Sequence, residues 1–187
     1  WNYETEEAAL KDVLRLSRGM TYKAAVSGLN LGGGKAVLIG DPKTDKSEAF
    51  FRSFGRFINT LGGRYITAED VNTTVEDMDH IYQETDNVVG VHPAHGGSGD
   101  PSPYTAFVKI RSIEASFNKK YGNTNLGDYT YAVQGVGHVG YHIVKTLREK
   151  GAKVLITDIN ETRVNDLVHE FGAEAVPLND IYDTDAQ

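Results

Sequence analysis

The chain has 187 residues with 26 acidic and 19 basic side chains, a formal charge of -7 and no cysteine. Acids and bases are interspersed, so there is no basic face for nucleic-acid phosphates and no polybasic anchor for anionic lipid; neither nucleic acid nor a membrane is an expected partner. Apolar runs are too short to span a bilayer and the start lacks the order of a secretory signal, so a soluble, cytoplasmic protein is expected; the missing cysteines remove disulfides, thiolate catalysis and thiolate-held metal.

Residues 4–20 place Leu10, Val13 and Leu14, flanked by Leu16, at helical spacing, with acids early and Gly19 near the expected stop. Residues 35–39 (KAVLI) and 65–68 are short apolar runs bounded by turn residues and are expected as buried strands. Between them residues 47–61 predict a helix that ends at Gly62 and Gly63. Its stripe of Phe50, Phe51, Phe54, Phe57 and Ile58 is best explained by core packing. From 88 to 103 the composition turns to Gly, Pro, His, Ser and Asp, which marks a boundary between two domains, residues 1–97 and 98–187. Ser102 followed by Pro103 predicts a helix start, running to about Tyr121. Beyond it come a strand at 129–134, a helix at 137–150, a strand at 153–157 and a helix capped by Asn160 and stopped by Gly172, a βαβα run. The chain opens on Trp1 and closes on Gln187 with no terminal element, which predicts an excerpt of a longer protein, inactive in isolation.

Gly135-Val136-Gly137-His138-Val139-Gly140 follows one of those strands and opens a helix, the context in which a glycine pattern binds a dinucleotide. The first glycine permits the turn, the second admits a diphosphate to the amides at the helix start, and the third lets helix and strand pack closely. Asp158, at the end of the next strand, suits the adenosine ribose hydroxyls, and its charge together with the absence of an arginine directly after it favours NAD over NADP. His138 would face the phosphates rather than the nicotinamide. Two lysines, Lys23 and Lys35, lie near glycine-rich backbone, and the triplet Gly32-Gly33-Gly34 suggests that something approaches the backbone closely. A phosphate loop fails, because Ala36 stands where Ser or Thr is required and Leu29 where the first glycine belongs. Asp70 sits just past an apolar strand, where catalytic acids often stand. His92 and His95 have no third ligand at a recognisable spacing, so no metal is expected.

The phrases GMTYKAAVSGLNLGGGKAV, GRYITAEDV, GDPSPYTA and VQGVGHVG with GAKVLITDIN resemble the glutamate, leucine, phenylalanine and valine dehydrogenase superfamily, and within it the leucine dehydrogenases. The resemblance implies an α/β fold of two domains, an α/β substrate domain and a Rossmann-type NAD domain, both incomplete here, in a homo-oligomer. It implies oxidative deamination of a branched-chain L-amino acid, leucine and also valine or isoleucine, to the 2-oxo acid with release of ammonia. By position, Lys35 matches the catalytic lysine, Lys23 the lysine that binds the substrate carboxylate, Asp70 the acid that handles the amino protons, Ala68 a small side-chain pocket residue, and Thr105 a contact to the nicotinamide end. Lys35 would have to be neutral to take a proton from water, and the Lys23 charge and a desolvated cleft would both help. Asn72 stands where members often have glycine, and residues 92–97 differ from theirs. Two rival readings are a phenylalanine or valine specificity and, of another class, a non-catalytic NAD-binding module, whose mark would be loss of Lys35 or Asp70.

Overall fold

A computed structural model describes residues 1–187, which divide between Asp100 and Pro101 into two units, rather than after residue 97. Proline supplies the N-cap of the helix that follows, so the break falls where that helix begins.

In unit 1, α1 spans Glu6–Val26 and starts at Thr5, whose hydroxyl accepts from the Ala8 N–H at 3.1 Å. Gly19 does not stop it; a helical glycine costs only about 1 kcal/mol, and the helix runs on until Gly28, at φ +69°, turns the chain. Lys23 is thereby carried on the last turn of α1. The apolar stripe predicted for this helix is uncovered within the unit: Leu10 and Leu14 are 58% and 61% exposed, and Ala9 and Ala24 are the buried positions. Helix α2, Glu48–Thr60, lies where the sequence predicts a helix, with Ser47 as its cap rather than its first residue. Phe51 and Ile58 are buried, while Phe57 points outward. Gly55 is required where α2 meets α3, Val75–Tyr82, since a Cβ there would lie 2.9 Å from the Ile81 carbonyl oxygen. Helix α3 has no counterpart among the predicted elements, although Thr74 and Asp77 form a reciprocal capping box at its start. Phe51, Met78, Ile81, Val88 and Val91 make the core.

Strands β1, Thr67–Ala68, and β2, Val88–Val89, pair in parallel. Residues 35–39 form no strand. The segment bonds to Trp1: the Leu38 carbonyl accepts from the Trp1 backbone nitrogen at 2.8 Å, and the Gly40 N–H donates to the Trp1 carbonyl at 3.1 Å.

Unit 2 begins with α4, Ser102–Tyr121, where Ser102 is the first helical residue rather than the cap. Strands β3, Thr130–Gln134, β4, Lys153–Thr157, and β5, Glu174–Ala175, form a parallel sheet in the order β3-β4-β5. Helices α5, His138–Glu149, and α6, Glu161–Phe171, connect them. The core joins Ile110 of α4, Val144 and Leu147 of α5, Val154 and Ile156 of β4, and Val164 and Leu167 of α6. No helix of the protein is long and apolar enough to cross a membrane.

Candidate active site

A cavity of ≈ 380 Å³ opens in unit 1, with Met20, Lys35, Phe54, Ala68 and Asp70 among its lining residues. The Gly32-Gly33-Gly34 triplet explains how Lys35 reaches it. A Cβ on Gly33 would lie 2.2 Å from the Thr21 N and 2.3 Å from the Ser17 carbonyl oxygen, and one on Gly34 2.7 Å from the Tyr65 ring. What approaches the glycine backbone so closely is the protein itself: α1 on one residue and Tyr65 on the next. The segment is pinned to α1 two residues before Lys35.

Asp70 is placed from the other side, just past β1. Its N–H donates to Thr73 Oγ1 and its Oδ1 accepts from the Val71 N–H, each at 2.8 Å. That leaves Oδ2 for Lys35, whose Nζ donates to it in an ion pair. The turn passes through Asn72 at φ +64°, a left-handed conformation that glycine and, among other residues, asparagine adopt most readily, which accounts for asparagine at this position.

Partial burial pushes the Asp70 carboxyl up, but the hydrogen bonds from Lys35 and Val71 and the charges of Lys35 and Lys23 outweigh it, and the carboxyl ends below its ordinary range. Lys23 is exposed and is not among the residues that line the cavity, yet it is near enough for its charge to act on Asp70. Lys35 therefore stands as the partner of a carboxylate, a contact that the sequence reading, which sets Lys23 and a desolvated cleft beside it, does not foresee. Ala68 ends β1 on the cavity wall, where its methyl group leaves room for a side chain.

In unit 2 the glycine turn lies between β3 and α5. Gly135 has φ +89° and donates to the Thr157 carbonyl at 2.8 Å, tying the turn to the end of β4. Gly137 caps α5, which opens with His138, exposed, and Val139. A Cβ on Gly140 would lie 2.2 Å from the Gly135 carbonyl oxygen, so the third glycine is held by close packing of helix on turn. Asp158 does more than end a strand. Its Oδ2 accepts from the buried Val136 N–H at 2.7 Å and its Oδ1 from the Asn160 N–H at 2.8 Å. Thr105 is exposed on the first turn of α4, with its N–H on the Pro101 carbonyl. Arg163, in the first turn of the helix after Asp158 and absent from the sequence reading, carries its guanidinium to the turn at Gly137.

The two loop histidines hold their loop. His92 Nδ1 accepts from the Ala94 N–H at 3.1 Å, and His95 Nδ1 lies 3.3 Å from Asp79 Oδ1.

The α/β fold is shared with a solved amino-acid dehydrogenase, and the chain belongs to the Glu/Leu/Phe/Val dehydrogenase family. Residues 1–87 match the family model described as Glu/Leu/Phe/Val dehydrogenase, dimerisation domain. Among its relatives, leucine dehydrogenase of Geobacillus stearothermophilus is 59% identical over 182 residues, covering 97% of this chain and 50% of that protein. Valine dehydrogenase of Streptomyces virginiae is 50% identical over 168 residues, covering 90% and 47%. The crystal structure of L-tryptophan dehydrogenase from Nostoc punctiforme superposes with a TM-score of 0.68 at 39% identity, covering 100% of this chain and 52% of that one. The chain thus spans about half the length of the curated relatives it matches.

Proposed function

We propose that the complete protein is an NAD-dependent dehydrogenase that converts a branched-chain L-amino acid, leucine and also valine or isoleucine, to the 2-oxo acid and ammonia, and works as a homo-oligomer. The observation that carries this reading is the Lys35 and Asp70 ion pair on the wall of a cavity that also presents Ala68. Leucine dehydrogenases at 56% to 59% identity support the branched-chain substrate over phenylalanine, whose dehydrogenase from Bacillus thermotolerans is 47% identical.

In this reading unit 1 binds the amino acid and unit 2 is the Rossmann-type domain that binds NAD. The residues of unit 2 fit the dinucleotide: the space over Gly135 is open, Gly137 places the α5 N-terminus behind it, and Asp158 stands at the strand end that faces a ribose. Bound there, NAD supplies the acceptor for the hydride that leaves the substrate α-carbon. Thr105 contributes at the nicotinamide end.

The chain's own side chains then divide the work. The Lys23 ammonium pairs with the substrate carboxylate and orients it. Asp70, kept ionised by its hydrogen bonds and the two lysine charges, accepts a proton from the α-amino group. Lys35, once it has released its proton, takes one from the water that adds to the α-carbon, and returns it as ammonia leaves.

The test follows NADH absorbance with leucine, valine, isoleucine, phenylalanine and glutamate offered separately, and NADP as the control cofactor. Turnover of the branched aliphatic acids with NAD supports the reading, and preference for phenylalanine moves the specificity. Equal activity of wild type and Lys35→Ala removes Lys35 from catalysis, and intact NAD binding without any turnover supports the non-catalytic module instead.

A further inference from the structure

Arg163 lies in the first turn of α6, where its backbone N–H donates to the Asn160 side chain at 3.3 Å and completes the helix cap. The cap fixes where the side chain departs. From there the guanidinium runs back over the glycine turn, with Nη1 3.7 Å from the point at which a Cβ on Gly137 would stand, while the same space over Gly135 is open. Asp158, at the end of the preceding strand, gives its two oxygens to the Val136 and Asn160 N–H groups. A cation is therefore held in the first turn of α6 and against the cap of α5, two helix starts whose partial positive charge disfavours it. An anion received between guanidinium and turn would reverse the sign of that interaction.

We propose that Arg163 is an affinity-determining residue of the cofactor site, clamping the diphosphate bridge of the dinucleotide against the Gly137 turn. This rests on the dinucleotide reading of unit 2. The diphosphate is the matching group because the guanidinium stands at the second glycine of the pattern, where that bridge comes closest to the backbone, whereas Asp158 occupies the ribose side. The planar fork of donors suits two phosphate oxygens at once. No reacting atom is touched, so the effect is on binding and not on the chemical step.

The test uses the complete protein with Arg163→Ala and Arg163→Lys. Dissociation constants are measured for NADH, ADP, adenosine and adenosine bearing separate 2′- and 5′-phosphates, at low and high salt. Arg163→Ala is expected to weaken NADH and ADP roughly three- to tenfold, to leave adenosine unchanged and to flatten the dependence of ADP binding on salt. Arg163→Lys recovers part of the loss, and the melting temperature without ligand does not fall. Equal ADP affinity in wild type and Arg163→Ala overturns the proposal, as does a loss confined to the ligand with the 2′-phosphate. If wild type binds neither NADH nor ADP, the dinucleotide reading itself falls, an outcome distinct from binding that is equally strong in both forms.

Discussion

Both units build parallel sheet between helices, yet they hold their functional residues in different ways. In unit 2, β3 and β4 pair along all five residues from Thr130↔Lys153 to Gln134↔Thr157, and the glycine turn grows directly out of that ladder. In unit 1 the ladder is only Thr67↔Val88 and Ala68↔Val89. Lys35 is placed instead by the contact of Gly33 with α1 and by its bond to Asp70. A site can therefore be positioned by regular sheet or by one close backbone approach, and the second arrangement concentrates its tolerance in a single glycine.

The sharpest separation of the units is chemical. Lys35→Ala should lower turnover by about 1,000-fold, within the range for a lost general base, while NADH affinity, a property assigned to unit 2, stays within a factor of about two. Parallel loss of both would break the division of labour. Next in size is the contrast between two leucines. Leu147 is 0% exposed in the unit 2 core, and Leu147→Ala should cost about 3 kcal/mol in urea unfolding. Leu14→Ala, on the uncovered face of α1, should cost less than about 0.5 kcal/mol in this chain. A loss at Leu14 comparable to that at Leu147 would mean that the α1 stripe is covered after all.

The contrast also explains what was legible beforehand. Lys153–Thr157 is predicted to the residue, and the cap at Asn160 is found where predicted, because period, cap and glycine stop agree locally. Residues 35–39 have the composition of a strand, but strand identity depends on a partner, which composition does not specify. Helix α3 is short, and its capping box uses aspartate at the third position rather than glutamate, which weakens its signal in the sequence. The triplet at 32–34 announces a close approach without naming its partner, which is α1 and Tyr65. Asp70 and Lys35 are 35 residues apart in sequence, and only the fold brings them into bonding contact. The Asp158 bond to Val136 was invisible for the same reason.

Gly33→Ala probes the weak point of unit 1. Its methyl group would overlap the Thr21 N and the Ser17 carbonyl oxygen, both backbone atoms that a side-chain rotation cannot relieve. Overpacking of this kind costs about 1 to 3 kcal/mol, read as a lower urea midpoint. Because the displaced segment carries Lys35, kcat should fall as well, and a stable variant with unchanged kcat would show that the contact with α1 does not set the lysine's position.

The smallest effect lies in unit 2 and depends on pH. Burial pushes the Tyr131 phenol up to about 12, with the charges of Tyr129, Asp128 and Glu114 adding to it, and its hydroxyl donates to the Leu126 carbonyl at 3.1 Å. In the unfolded chain the phenol titrates near 10. A folded value above the unfolded one means that the folded state holds its proton more tightly. The stability this represents is fully present below pH 10 and is lost as pH rises from 10 to 12. Tyr131→Phe removes the titration and one hydrogen bond together. At pH 8 the variant should be about 1 kcal/mol less stable, and between pH 10 and 12 its urea midpoint should fall less steeply than that of wild type. Parallel pH curves for the two proteins would mean that the Tyr131 hydroxyl is not sheltered by the aromatic cluster of Phe117, Tyr129 and Tyr131 that packs on the start of the sheet.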